Sequence, residues 1–193
     1  MKELMKITKL KKNLIGSTLL WSCSAFNYYL LTFFLKYFPG NIFENSFFFA
    51  LADLIGFLSV GIVLKRATVV QALYFAFFID FVGGILYIMF HNNTSIVPLL
   101  ICLCRGGVTM TYNIGYISPK ELFPTLYIAS VYGQVNVYAH LIACLAPMVA
   151  ETAYPLPFLF YLLAVLVSVF AASMLKEISA DEKESAIEEF EKA

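Results

Sequence analysis

The chain has 193 residues, of which 61% are hydrophobic and 13% are charged, and its formal net charge is zero. A soluble domain carries about twice that share of charged residues. The composition therefore indicates an integral membrane protein that is embedded in a lipid bilayer. No basic face is available to neutralise phosphates, which argues against nucleic-acid binding. The four cysteines lie in apolar runs, at spacings that suit neither a metal site nor a redox site.

Charge is concentrated at the two ends of the chain. Residues 1–13 contain five lysines and one glutamate, and residues 176–193 contain seven acidic residues and three lysines. The 162 residues between them carry only ten formal charges. We therefore divide the chain into a basic N-terminal segment (1–13), a six-helix transmembrane domain (14–175) and an acidic C-terminal tail (176–193).

Six apolar runs are long enough to cross a bilayer, which takes about 20 residues per helix. They predict an all-α membrane protein with helices over residues 14–36, 45–64, 68–90, 95–117, 122–149 and 154–175. The first run is too long for a cleavable signal, so we interpret it as a retained helix. Pro124 is expected in the first turn of the fifth helix, where a missing N–H is tolerated. Pro147 is expected to end or kink that helix.

Lysine and arginine predict the orientation of the helices. Lys65, Arg66 and Lys120 fall in connections on the same side as both chain ends, whereas Lys36 is an exception on the other side. Both termini are therefore expected on the cytoplasmic or matrix side. The pattern leaves open whether the membrane is the plasma membrane or an organellar one, and the mitochondrial inner membrane is among the candidates.

Four ionisable residues fall inside the predicted helices, at Asp53, Asp80, Arg105 and His140. Charge is expensive in hydrocarbon, so each needs a partner or a polar cavity. One interpretation is that Arg105 pairs with Asp53 or Asp80 and holds helices together. The other is a cavity for a substrate or a proton, lined by Asn27, Tyr28, Tyr29, Tyr112, Asn113, Gln134, Asn136 and His140.

The sequence carries no nucleophile motif, no glycine-rich phosphate loop and no cluster of metal ligands. We therefore predict no enzyme, no catalytic residue, no metal and no cofactor.

One long stretch, CRGGVTMTYNIGYISPKELFPT from Cys104 to Thr125, has the features of a known transporter family. It resembles the tenth helix and the following inner loop of the organic cation/anion transporter branch of the major facilitator superfamily. That branch has a basic residue before glycine, hydroxyl residues, a central amide and an E-L-[YF]-P-T block. Their counterparts in this sequence are Arg105-Gly106, Thr109, Thr111, Asn113 and Glu121-Leu122-Phe123-Pro124-Thr125.

Further positions support the resemblance. Trp21 and Tyr28 are similar to a pair in the family's seventh helix, and Asp53 falls where the eighth helix carries an acid. His140 falls where cation carriers tend to have aspartate and anion carriers arginine. The resemblance implies that the six helices correspond to helices seven to twelve, the C-terminal half of a twelve-helix transporter. It implies substrate-binding residues at Tyr28, Asp53, Arg105, Asn113, Asn136 and His140, and an inner gate at Lys65, Arg66 and Glu121.

Two departures from the family pattern keep a second function open. The family's inner loop reads approximately D-R-x-G-R-R where this chain has Lys65-Arg66-Ala67-Thr68-Val69-Val70, and Ile128 replaces an arginine. The first hypothesis is transport of a small organic ion by a half-size transporter that needs a second half, either another copy or another chain. The alternative is a non-transporting structural or accessory subunit of a larger membrane complex. We favour transport.

Overall fold

The computed structural model describes residues 8–179, which form an all-α bundle without a β-strand. A 3₁₀ turn at Leu35–Tyr37 follows the first of seven α-helices, which are α1 (Thr8–Phe34), α2 (Ile42–Val63), α3 (Val69–Phe90), α4 (Val97–Leu122), α5 (Thr125–Ala143), α6 (Ala146–Ala150) and α7 (Leu156–Met174). With α5 and α6 taken as one span, six helices in this part of the chain are long and apolar enough to cross a bilayer. The predicted all-α membrane fold with a six-helix bundle is confirmed.

The first helix includes residues 8–13, which the sequence assigned to the basic N-terminal segment. The side chain of Asn13 links this part of the helix to the rest of the bundle. Its Nδ2 donates to the carbonyl oxygens of Leu122 (3.0 Å) and Lys176 (2.8 Å), and its Oδ1 accepts from the Lys176 amide (2.9 Å). This fully buried amide joins the start of α1 to the ends of α4 and α7.

Helix α4 continues through Pro119 to Leu122, although the sequence predicted its end at residue 117. A proline inside a helix lacks the N–H that would bond the carbonyl four residues earlier, here that of Gly115. The hydroxyl of Ser118 donates to this carbonyl instead, at 2.9 Å. In membrane helices, hydroxyl side chains commonly donate to the carbonyl that a proline leaves without a partner. The helix therefore continues past Pro119 without a break.

The two other prolines of this region lie at helix starts. Pro124 is the N-cap residue of α5, one position outside the predicted first turn. Helix α5 ends at Ala143, and Pro147 lies in the first turn of the short helix α6. The interruption expected near Pro147 is therefore confirmed, and the proline occupies a position where no intrahelical N–H bond is lost.

Helices α1 and α4 form the centre of the bundle. Helix α1 packs against α4, α5, α6 and α7, whereas α4 packs against α1, α2, α3 and α5. Helix α3 also contacts α7, and α2 packs chiefly against α4. Side chains on α1 and α4 therefore have many neighbours, and several of their polar residues, among them Asn13, Asn27 and Arg105, are buried.

Glycines bring α3 and α4 into close contact. A Cβ built on Gly107 would lie 2.7 Å from the backbone nitrogen of Asp80, and one on Gly83 would lie 2.8 Å from that of Cys104. Small residues allow backbones to approach in this way where helices associate without a hydrophobic driving force. The contact is between backbones, so a larger side chain cannot be accommodated by a rotamer change.

The acidic tail is described only at its beginning. Ile178 is buried, and its amide donates to the carbonyl oxygen of Glu121 at 3.2 Å. The carboxylate of Glu177 accepts from the Val70 amide at the start of α3, at 3.3 Å. The rest of the predicted tail, and the first seven residues of the basic segment, lie outside the described residues.

We expect Gly107→Ala to destabilise the bundle, because the added Cβ meets the backbone of α3. Overpacking of this kind costs about 1–3 kcal/mol. The thermal unfolding midpoint in mild detergent measures it. Gly61→Ala is the matched control, since a Cβ at Gly61 meets nothing within 4 Å. Equal effects of the two substitutions would contradict the close-contact explanation.

Candidate functional site

Arg105, which lies inside α4, is paired with Asp53 of α2. The Nε of Arg105 donates to Asp53 Oδ1 at 2.7 Å, and its Nη2 donates to Asp53 Oδ2 at 3.0 Å. This two-point pairing matches the planar guanidinium to the carboxylate. The Thr109 hydroxyl also donates to Asp53 Oδ1, at 2.5 Å. Of the two pairing partners left open by the sequence, the structure selects Asp53.

The rest of the guanidinium of Arg105 is enclosed by α1 and α2. Its Nη1 donates to the carbonyl oxygen of Tyr28 (2.9 Å) and to the Thr32 hydroxyl (3.2 Å). Its Cζ lies 3.6 Å from the centroid of the Tyr28 ring and 4.1 Å from that of Phe49. The Arg105 side chain is 2% exposed, whereas 34% of Asp53 is exposed. The aspartate thus forms the open side of the pair.

Asp80 belongs to a separate buried cluster between α3, α4 and α7. Its carboxylate accepts a hydrogen bond from the Tyr161 hydroxyl, which also lies 3.4 Å from the Cys104 carbonyl oxygen. Both Asp80 and Tyr161 are buried. The pairing of Asp80 with Arg105, one of the two expected alternatives, is therefore wrong, because Arg105 is turned toward α2 and its donors are used there.

A continuous group of aromatic and polar side chains covers one side of α1, α4 and α5. The Tyr28 and Tyr112 rings stack with centroids 4.9 Å apart, and Tyr29 lies 6.5 Å from the ring of His140. Trp21 lies beneath them and meets the Tyr116 ring edge-on at 4.3 Å. We call this group the tyrosine face and define it as Tyr28, Tyr29, Tyr112, Tyr116, Tyr132, Asn136 and His140.

The tyrosine face is accessible on the surface of the described bundle. Tyr116 is 41% exposed, His140 is exposed, and the other members are half-buried. The Tyr132 hydroxyl donates to the Tyr116 carbonyl oxygen, and the Tyr112 and Tyr116 hydroxyl oxygens lie 3.5 Å apart. The first of these contacts joins α5 to α4, and the second lies within α4.

The predicted amides take different places. Asn136 lies within the face, and its Nδ2 donates to the Tyr132 carbonyl oxygen at 2.9 Å. Asn113, half-buried on α4, donates to the Thr109 carbonyl oxygen at 2.7 Å. Gln134 is exposed on α5. Asn27 is buried against α7, where its Nδ2 donates to the Tyr161 carbonyl oxygen at 3.2 Å, so its expected position in the cavity lining is wrong.

The exposed side chains of the outer helices have a different chemistry. From Phe47 to Val63 in α2, and from Leu156 to Phe170 in α7, every exposed residue is apolar. The large ones are Phe47, Leu54, Ile55, Phe57, Leu58 and Ile62 on α2, and Leu156, Leu159, Phe160, Leu163, Leu166 and Phe170 on α7. These two surfaces suit lipid tails, whereas the tyrosine face carries hydroxyl, amide and imidazole groups.

The three residues predicted for an inner gate lie at one end of the bundle. Lys65 and Arg66 are exposed in the turn after α2, and Glu121 is exposed in the last turn of α4. The Glu121 backbone is tied to Ile178, as described above. In residues 8–179, no three His, Cys, Asp or Glu side chains come together as metal ligands.

Sequence reasoning missed three members of this region. Tyr116 and Tyr132 extend the tyrosine face, and Phe49 covers Arg105. The sequence did contain a signal for Tyr116 and Tyr132. Tyr112 and Tyr116 are four residues apart, as are Tyr132 and Asn136, and such residues share one side of a helix. Phe49 lies in a run of phenylalanines, and only the packing of α2 on α4 distinguishes it from its neighbours.

No protein-family model matches the chain. It is similar to solute carriers. It is 26% identical over 179 residues to solute carrier family 22 member 6 of Mus musculus, and 27% identical over 180 residues to the proteins of that name from Bos taurus and Oryctolagus cuniculus. Each match covers 90% of this chain and 32% of the relative, so the chain spans about a third of the length of these curated relatives.

The distant similarity and the six spans agree on the class of protein. The chain is an integral membrane protein, and its six-helix bundle resembles one half of a major facilitator fold. The names of the three relatives describe them as solute carriers.

Removal of either partner of the Arg105–Asp53 pair is expected to destabilise the protein. Asp53→Ala leaves a buried guanidinium without its carboxylate, a loss of about 2–5 kcal/mol. The thermal unfolding midpoint in detergent and the yield of folded protein measure it. The double variant Asp53→Asn/Arg105→Gln should recover part of the loss, because no uncompensated charge remains.

The pair between Lys36 and Glu151 is the matched control for this experiment. Its Nζ–Oε1 distance is also 2.7 Å, but its side chains are 54% and 55% exposed. Exposed ion pairs contribute little to stability. We therefore expect Glu151→Ala to leave the midpoint unchanged within error. An equally small effect of Asp53→Ala would contradict the structural role assigned to the buried pair.

Proposed function

We propose that the chain forms one wall of a path by which a small organic ion crosses a membrane. In this proposal its six helices correspond to helices seven to twelve of a major facilitator transporter. The second wall is supplied by another six-helix half, either a second copy or another chain. The observation that carries the proposal is the tyrosine face.

The chemistry of the tyrosine face supports a path for solutes rather than a lipid contact. Hydroxyl, amide and imidazole groups lose their hydrogen bonds to water when they face hydrocarbon, and each unsatisfied group is unfavourable by several kcal/mol. Five tyrosines, Asn136 and His140 lie together on this side, whereas the exposed residues from Phe47 to Val63 on α2 and from Leu156 to Phe170 on α7 are all apolar. The polar side is therefore the one expected to meet water, a solute or a second protein half.

The members of the face also indicate what kind of solute is bound. Tyrosine rings stack on flat organic groups, and their hydroxyls donate and accept hydrogen bonds. Arg105 and Asp53 neutralise one another, so neither offers an unpaired full charge to a ligand. His140 lies at the edge of the face, with its ring 6.5 Å from that of Tyr29. In this proposal, His140 determines whether the bound solute is an anion or a cation.

The gate and the orientation belong to the same proposal. Lys65, Arg66 and Glu121 are at the end where α2 and α4 finish, which the lysine and arginine pattern assigns to the cytoplasmic or matrix side together with both chain ends. Approach of the second half at this end would close the path from the inside, as expected for carriers that rock two halves about a central site.

A second function is favoured by a specific observation. The charges next to the face, Arg105 and Asp53, pair with one another, and both Asn113 and Asn136 donate to carbonyls of their own helices. A bundle in which polar groups are internally satisfied serves equally as a scaffold. In that case the chain is a structural or accessory subunit of a larger membrane complex, and the tyrosine face is a contact surface for another subunit.

The mass and composition of the native particle separate the two functions. The particle is extracted from its own membrane with mild detergent, and its components are identified by mass spectrometry. A homodimer, or a pair with one other six-helix chain, supports the transporter. A large assembly of many different proteins contradicts it and supports the subunit.

The two histidines of the chain provide a matched test of the solute path. His140→Ala should lower uptake of the transported ion about ten-fold or reverse the preference for charge, as expected when one charged hydrogen bond is lost. His91→Ala is the control, because His91 lies at the end of α3 against Tyr154, with Nδ1 and the hydroxyl oxygen 3.0 Å apart. Uptake is measured in vesicles that contain the purified particle. Equal uptake by both variants would exclude His140 from the path.

A further inference from the structure

A cavity of about 540 Å³ lies at the end of the bundle where α1 and α3 finish and α7 begins. None of its lining residues belongs to the tyrosine face. Four of them carry phenyl or phenol rings, one carries an imidazole and one a carboxylate, and no lysine or arginine is among the described residues that line it. The six side chains that carry these groups are Phe34, Tyr37, Tyr87, His91, Glu151 and Tyr154.

The rings in the wall of this cavity are held in place by contact with one another. The Phe34 ring lies 5.6 Å from that of Tyr37, and Phe158 connects Phe34, at 5.4 Å, to Tyr87, at 4.0 Å. Phe34 and Tyr87 are buried, whereas Tyr37 is 43% exposed and Tyr154 is 38% exposed. The buried rings therefore form the interior of the cavity, and the two exposed tyrosines form its mouth.

Glu151 supplies the carboxylate at the mouth of the cavity, and it already binds an ammonium group. Its Oε1 accepts from Lys36 Nζ at 2.7 Å, and its Oε2 accepts from the Tyr37 hydroxyl. These hydrogen bonds lower the pKa of Glu151, so its carboxylate is charged at neutral pH. Lys36 Nζ also lies over the Tyr37 ring, 4.8 Å from its centroid. The mouth thus binds a tethered cation through a carboxylate and the face of a ring.

The lysine at the mouth can be displaced by a cationic ligand. The side chains of Lys36 and Glu151 are 54% and 55% exposed, and ion pairs as exposed as this contribute little to stability. A cation that also contacts the interior rings would gain attraction that Lys36 lacks, because ring faces attract positive charge. Cages of aromatic rings recognise choline and methylated amines in this way.

We infer that this cavity binds a methylated ammonium group of the choline type, which displaces Lys36 from Glu151. Such a group has no N–H to donate, so it suits a wall that offers one carboxylate and several ring faces. The cavity volume lies within the range of about 300–1,000 Å³ that is typical of small-molecule sites. The inference does not depend on the proposed function, since a transporter half and a scaffold subunit carry the same cavity.

The test measures equilibrium binding of radiolabelled choline to the full chain in an uncharged maltoside detergent. Glu151→Gln should weaken binding about five-fold, because the ligand loses its carboxylate. Lys36→Gln should strengthen binding about three-fold, because the tethered ammonium no longer competes for that carboxylate. An ion pair with only a structural role does not predict opposite effects of its two partners. Changes in the same direction, or no change, would overturn the inference.

Glu44→Gln is the matched control for the change in net charge. Glu44 is exposed in the first turn of α2, at the same end of the bundle, and it does not line the cavity. Its substitution should leave the affinity for choline unchanged. A loss as large as that of Glu151→Gln would mean that the end of the bundle attracts cations in general, which contradicts a site in the cavity.

A second pair of variants tests the contribution of the ring at the mouth. Tyr37→Leu removes the ring and should weaken choline binding about five-fold. Tyr37→Phe keeps the ring and should keep most of the affinity. Equal losses in the two variants would exclude the ring face as a contact. The thermal unfolding midpoint establishes that every variant is folded.

Competition with lipids distinguishes the two sources of a choline group, since choline occurs as a free cation and in the headgroup of phosphatidylcholine. Displacement of labelled choline by phosphatidylcholine but not by phosphatidylglycerol supports the site, with a lipid headgroup as its ligand. Choline binding that neither lipid reduces supports the site, with a free cation as its ligand. Equal displacement by both lipids, or no saturable binding of choline to the unchanged chain, would overturn the inference.

Discussion

A buried guanidinium is the constraint on which much of the bundle depends. Arg105 lies in the helix with the most neighbours, is almost completely enclosed, and uses its Nε and both Nη atoms as hydrogen-bond donors. Charge in hydrocarbon is tolerated only when it is paired and hydrogen-bonded. Helix α2 supplies the carboxylate and one aromatic ring, and α1 supplies a carbonyl, a hydroxyl and the other ring. The relative positions of these three helices therefore follow from satisfying one side chain, and the tyrosine face begins at the ring of Tyr28 that covers it.

The exposed surface has a polar part and an apolar part, and the polar part lies beside the buried Arg105–Asp53 pair. The exposed residues from Phe47 to Val63 on α2 and from Leu156 to Phe170 on α7 are apolar, whereas α1, α4 and α5 together also present tyrosine, asparagine and histidine. The polar surface is next to the paired charges because the same helices carry both. Such a bundle has one polar side and two helix surfaces that suit lipid. A polar side is expected when that side lines a solute path or contacts another subunit, but not when lipid surrounds the whole bundle.

The end of the bundle where α1 begins and α7 finishes is organised by a second polar side chain, Asn13. It connects the start of α1 with the ends of α4 and α7 through backbone groups that would otherwise lack partners at helix termini. Thus one buried amide serves the packing of three helices.

The sequence by itself determined the number of spans, their approximate limits and the need for a partner for Arg105, because long apolar runs and isolated charges have few physical solutions in a bilayer. It also placed Tyr28, Asn136 and His140 in one group. Only the tertiary structure decided that Arg105 meets Asp53 and not Asp80, that Asn27 faces α7, and that Tyr116 and Tyr132 join the polar side. These choices depend on how helices rotate and approach one another. Glycine contacts and the Asn13 link fix that geometry between residues far apart in the chain, where periodicity carries no information.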